Sequence, residues 1–183
     1  EKTVCKYMPY IVEQSIKQNI DPSLVVSVMY VESGFTKSVV SRAGACGLMQ
    51  LIPKWNAVRI GGKKKFYTCD EIKSPRRNIR LGIKALRRWL DFPGIDGDMN
   101  RALCAYNAGN ICRIVKKKKV RIKNPEKVRY VKSVRAAQRK IHAAMGHKPY
   151  GKPEVDHCTV AVCPGKDCPC TYGEGEVLYM NYE

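Results

Sequence analysis

Glu32 is the residue in this sequence around which chemistry can be built. Asp21 and Pro22 have the residue types of a helix N-cap and first helical position, and Gly34 stands where a helix would stop. Between them Glu32 follows Val28 by four and Met29 by three, which puts its carboxylate on the apolar stripe near the helix C-terminus. Burial and the negative end of the helix dipole both disfavour the ionised form, so its pKa is expected to rise. A carboxyl that stays protonated near neutrality is what a general acid requires. Taken alone, a glutamate on an apolar face is more often one half of a buried ion pair than a catalyst.

The elements that must position it read as helices. Lys6 to Gln18 has Tyr7, Ile11 and Ile16 for a buried side. The second helix carries Leu24, Val25, Val28 and Met29. Residues 35–47 read as a loop ending in the glycine-bracketed turn Gly44-Ala45-Cys46-Gly47. A short helix through Leu48 to Ile52 is expected to stop at Pro53, and Gly61 to Lys65 reads as an exposed basic loop. Ser74-Pro75 opens a helix whose Ile79, Ile83, Leu86 and Leu90 keep one face, and Asp98 caps another that ends near Asn107-Ala108-Gly109. Asn124-Pro125 starts a last helix with Val131, Val134, Ile141 and Met145 on one side and Gly146 closing it. Residues 1–146 therefore read as all-α. Residues 147–183, rich in Pro, Gly and Cys, read as a small extension of loop and a short strand pair.

Several segments together resemble one family. Glu32-Ser33-Gly34-Phe35, then Gly44-Ala45-Cys46-Gly47-Leu48-Met49-Gln50-Leu51-Ile52-Pro53, then Ala105-Tyr106-Asn107-Ala108-Gly109 are similar to motifs of the soluble lytic transglycosylase catalytic domain, related to goose-type lysozyme. Pro75-Arg76-Arg77-Asn78-Ile79 resembles that family's Pro-x-x-Asn-Ile helix start, and Asn124 to Val131 its last motif. The resemblance runs from about Tyr7 to Met145 and implies a mainly α, lysozyme-like helical domain. It implies that Glu32 is the sole acid/base, cleaving the bond between N-acetylmuramic acid and N-acetylglucosamine and closing a 1,6-anhydro ring without water. It also implies that Met49 and Gln50 line the cleft, Tyr106 and Asn107 shape the substrate site, Tyr130 hydrogen-bonds Glu32, and Ser33 supports it. Glu126-Lys127 and Ser74 depart from the usual residues at their positions.

Enzymes that cleave sugars with two carboxylates hold them about 5–9.5 Å apart. From Ser33 to Cys69 there is no acidic residue, so a second carboxylate close behind Glu32 in sequence is absent. Asp70, Asp91, Asp96 and Asp98 stay open as spatial partners, which keeps a muramidase of the same fold as the alternative. A non-catalytic wall-binding adaptor is the alternative from another class. The chemistry calls for no metal and no organic cofactor.

Charge and cysteines bound the setting. The chain has a net charge of +18; residues 1–146 hold 31 basic and 10 acidic residues, and residues 147–183 three lysines and six acids. Such a basic body wants a polyanion, and charge alone allows nucleic acid, an anionic membrane or an acidic polysaccharide. No nucleic-acid-reading element is recognisable, so peptidoglycan strands and the anionic wall surface are the expected partners. Glu1 to Cys5 carry no hydrophobic signal segment, and no apolar run approaches the roughly 20 residues of a membrane span. Nine cysteines fit an extracytoplasmic place, whether periplasmic, secreted or on a phage particle. Two disulfides within Cys158, Cys163, Cys168 and Cys170 are the plain expectation, with a zinc site as the alternative; Cys104, inside a helix, reads as a buried free thiol.

Overall fold

The computed structural model describes residues 2–56, 58–60, 63–114 and 121–144. The expected boundary at Gly146 and the extension 147–183 with its cysteines lie outside the described residues.

Helix α2 (Pro22–Ser33) is the axle of the fold. Every residue from Ser23 to Met29 is buried, so the helix is enclosed on all sides, where the spacing had predicted only a stripe. Its start is capped as expected: the Asp21 side chain accepts from the Ser23 N–H at 2.8 Å. Its end is closed by Gly34, at a φ of 54° that suits glycine, whose N–H reaches the Tyr30 carbonyl.

Helix α1 (Lys2–Ile16) runs against α2 and against α4 (Pro75–Leu90), inserting Met8 and Ile11 into the core. On α4, Asn78, Ile79, Leu81, Gly82, Ile83, Ala85, Leu86 and Leu90 form one buried face, and α5 (Met99–Ala108) packs on it. Helix α6 (Arg129–Ala144) makes its most extensive contact with α2 and runs antiparallel to it. At one end Tyr130 of α6 meets Glu32 of α2. At the other, Gln138 Nε2 donates to Asp21 Oδ2 at 2.9 Å, and His142 Nε2 lies 2.7 Å from Ser23 Oγ.

Four expectations are corrected. Leu48 to Ile52 is no helix: Cys46 bridges both Val40 and Leu51, and Gln50 takes a φ of 45°, which breaks helical progression. The basic loop after Ile60 is the second strand of a hairpin, β1 (Val58–Ile60) with β2 (Lys63–Lys65), followed by the short α3 (Cys69–Ile72). Asn124-Pro125 opens only a turn of 3₁₀ helix, Pro125–Lys127, and an extended Val128 separates it from α6. Cys104 is not a free thiol: a 3₁₀ turn, Gly109–Cys112, folds back beside α5 and pairs Cys104 with Cys112, their Cα atoms 5.8 Å apart.

A second disulfide joins Cys46 to Cys69 and so ties the Gly44 to Gly47 turn to α3. Alkylation under denaturing, non-reducing conditions should leave Cys46, Cys69, Cys104 and Cys112 unlabelled; labelled Cys104 would refute the pairing. Replacing Cys104 and Cys112 together by serine should lower stability by about 2–3 kcal/mol, the chain-entropy value for so short a loop, read from urea denaturation.

Candidate active site

Glu32 sits in the last turn of α2, half-buried, where the chain leaves the core. Among the described residues no cation pairs with it. Burial pushes its pKa up to about 7, and the one opposing influence is a hydrogen bond from the Tyr130 hydroxyl to Oε1 at 2.7 Å. Among the described residues an ion pair of this glutamate therefore has no partner. Since Tyr130 donates to Oε1, the carboxyl proton belongs on Oε2, which has no hydrogen-bond partner among the described residues and is not sealed from solvent.

Tyr106 comes from the last turn of α5, and its hydroxyl donates to the Met49 carbonyl at 2.7 Å. Burial raises the Tyr106 pKa well above its usual value near 10, and the charge of ionised Glu32 raises it further. Tyr130 is raised by the same two causes, burial first, and also feels Tyr106. Both phenols are thus fixed as neutral donors, and the three groups share one electrostatic neighbourhood.

The segment from Cys46 to Leu51 builds the facing wall. Ser33 Oγ reaches the Met29 carbonyl at 3.1 Å and the Leu48 carbonyl at 2.8 Å, stitching the end of α2 to this loop. Gln50 Nε2 donates to the carbonyls of Val39 at 3.2 Å and Gly47 at 2.9 Å. Two carbonyl acceptors require the amide NH₂ on that side, which leaves Gln50 Oε1 free to accept from a ligand. Gln50 and Phe35 are two of the four non-glycine residues at positive φ among the described residues, and Phe35 follows Glu32 by three positions.

The structure therefore brings Glu32, Ser33, Gln50, Tyr106 and Tyr130 together. Met49, expected to line the cleft, is fully buried: a Cβ at Gly82 would collide with its side chain, so helix and loop meet as closely as glycine allows. Asn107 is exposed one residue past Tyr106, with no side-chain hydrogen bond among the described residues. Asp70 pairs with Lys73, Asp91 with Arg87, Asp96 accepts from Gly94 N–H and Asp98 caps α5. None of these four carboxylates shifts the Glu32 titration.

The sequence reading missed Asn78 as part of the site. Fully buried on α4, it accepts from Met49 N–H at 2.7 Å and donates to the carbonyls of Cys46 at 2.9 Å and Ile72 at 3.2 Å. A Cβ at Gly47 would strike its amide, so that glycine admits it. The available signal was an amide among Ile79, Leu81 and Gly82 on an apolar face, where a polar group needs a partner. Asn78→Ala leaves the Met49 N–H and the Ile72 carbonyl unpaired, while the Cys46 carbonyl keeps the Leu51 N–H, and should cost about 2 kcal/mol or more in urea denaturation. An unchanged midpoint would mean that the loop is held by other contacts.

Known proteins resemble this chain in sequence and in fold. Residues 9–129 match the model of the transglycosylase SLT domain family. Membrane-bound lytic murein transglycosylase C of Photorhabdus laumondii is 31% identical over 137 residues, covering 68% of this chain and 38% of that protein. Endo-type membrane-bound lytic murein transglycosylase A of Klebsiella pneumoniae is 34% identical over 88 residues, covering 46% of this chain and 43% of its own length. The chain thus spans about two fifths of the curated relatives it matches. The 70 kDa soluble lytic transglycosylase of Escherichia coli superposes with a TM-score of 0.59 at 23% identity, over 78% of this chain and 25% of that one. An inactive mutant of the lytic transglycosylase Slt of Pseudomonas aeruginosa gives 0.58 at 20% identity, over 77% and 25%. These two likenesses are of fold. With the family match covering most of the chain, this protein belongs to the transglycosylase SLT domain family.

Proposed function

We propose that this chain cleaves the glycan strand of peptidoglycan at the β-1,4 bond between N-acetylmuramic acid and N-acetylglucosamine, leaving 1,6-anhydro-muramoyl ends. The observation that carries the reading is Glu32, a half-buried carboxyl with a pKa of about 7 and no ion-pair partner among the described residues. With that pKa a large share of the molecules still hold a proton at neutral pH, on Oε2, to give to the glycosidic oxygen. As the bond from muramoyl C1 breaks, the N-acetylglucosamine oxygen leaves with that proton and positive charge develops on the sugar. The carboxylate left behind, steadied by the Tyr130 hydroxyl at 2.7 Å, takes the proton of the muramoyl 6-hydroxyl while its oxygen closes on C1. One group gives a proton and then accepts one, so no net change in the enzyme remains.

A water-attacking route with a second carboxylate finds less support. Asp70, Asp91, Asp96 and Asp98 are engaged elsewhere, and none perturbs Glu32. The names of the relatives, lytic murein transglycosylases, favour the same choice. Gln50 Oε1 and the exposed Asn107 are the groups offered to sugar, Ser33 and Met49 hold the wall behind them, and Tyr106 sets the floor. The excess of basic residues in 1–146 draws the domain to the anionic wall outside the cytoplasm, with residues 147–183 as an appended extension. No helix among the described residues is long and apolar enough to cross a membrane.

Mass spectrometry of muropeptides released from purified peptidoglycan tests the reading. The wild type should release anhydro-muramoyl products, and Glu32→Gln should lose activity by about 10³-fold, within the range for a general acid. Reducing muramoyl ends from the wild type would make the protein a hydrolase. Binding to peptidoglycan with no product from either would make it an adaptor.

A further inference from the structure

Trp55 is the most exposed large apolar side chain among the described residues, at 63%. Its exposure does not come from a slack chain. The residue ends the 3₁₀ turn Pro53–Trp55, its N–H donates to the Ile52 carbonyl at 3.0 Å, and the buried Asn56 reaches the same carbonyl at 2.9 Å. From α4, Arg88 Nη1 reaches the Trp55 carbonyl at 3.4 Å. An aromatic ring held out of the core on a backbone pinned from several sides is a platform.

Its place relates it to the site. It lies five positions after Gln50, a span of at most about 17 Å. The charge of Arg88, which holds the Trp55 backbone, also acts on the Tyr106 hydroxyl. The platform therefore stands at the end of the wall built by Met49 and Gln50, within reach of the same glycan strand. Lys54 places its ammonium 5.1 Å from the indole centroid, and Phe66, at the open end of the hairpin beside Lys65, is 49% exposed with Lys64 4.9 Å from its ring. Each ring thus carries a cation at its side.

We propose that Trp55 is a substrate-positioning residue, stacking its indole on the C–H face of an N-acetylated sugar ring beyond the cleavage point while Lys54 meets a carboxylate of the attached peptide. An amphipathic ring matches the apolar face of a pyranose, and the neighbouring ammonium matches the carboxylates that the strand carries. This inference rests on the glycan-cleavage reading above, and two separate measurements keep the failures of the two apart.

The binding measurement uses the full chain with Glu32→Gln and Trp89→Phe, which leaves Trp55 as the only tryptophan of the two. Titration with the hexamer of N-acetylglucosamine should quench or blue-shift its fluorescence; saturation of binding, followed by calorimetry, with no change in emission would overturn the inference. The kinetic measurement compares Trp55→Ala with wild type on soluble glycan strands. KM should rise about tenfold with kcat within about twofold, and Trp55→Tyr should restore most of the loss, the scale expected for one stacked ring. An unchanged KM would overturn it. If the wild type releases no product, the cleavage reading falls, and the fluorescence titration still decides whether Trp55 holds sugar.

Discussion

Desolvation of one carboxyl is the constraint on which the rest of this structure depends. Glu32 stands in the last turn of an enclosed helix, and its surroundings supply a neutral phenol in place of a cation. That arrangement has a cost for the fold. The folded pKa of about 7 lies above the ordinary glutamate value of 4.5, so the folded state binds the proton more tightly than the unfolded chain. The contribution of Glu32 to stability is therefore full below 4.5 and falls as pH rises through about 7, where the buried group must ionise. A cationic neighbour would remove the penalty and with it the acid. The two tyrosines, both kept protonated by burial, can polarise the site without supplying such a charge.

Holding a carboxyl in this state requires walls that do not shift. The wall opposite α2 has little regular structure of its own, and its order comes from outside. Asn78 reaches across from α4 to take two of its backbone groups and one of α3, Ser33 stitches it to α2, Tyr106 pins the Met49 carbonyl, and Cys46 is bonded to Cys69. Gly47 and Gly82 are the positions where a side chain would collide with this arrangement. On the other side, Arg101 of α5 donates to the carbonyls of Cys112, Ile122 and Lys123, all at 3.1 Å, and so gathers the chain that leads to Tyr130.

What was legible in the sequence was what repeats or caps. The bounds of α2, the start of α4 at Pro75 and the cap of α5 at Asp98 follow from local residue types, and the structure has them. The raised pKa of Glu32 was legible as well, because spacing put it on the apolar stripe of α2, near the helix C-terminus. Illegible were the features decided by distant partners. Leu48 to Ile52 has helical composition, but Asn78, 29 residues after Met49, takes the Met49 N–H and the loop follows a bridge pattern. Met49 reads as a cleft residue by motif and is buried in the room that Gly82 leaves. The pairing of Cys104 depends on a 3₁₀ reversal after Gly109 that no periodicity announces.

The most direct test is the titration of the Glu32 carboxyl itself, followed by carbon NMR of protein labelled at glutamate side chains and assigned with Glu32→Gln. The account predicts a midpoint of about 7 in the wild type. In Tyr130→Phe the midpoint should move higher still, because the lost hydrogen bond favoured the ionised form. A wild-type midpoint near 4.5, or a fall in Tyr130→Phe, would contradict the claim that burial, opposed only by Tyr130, keeps this acid protonated.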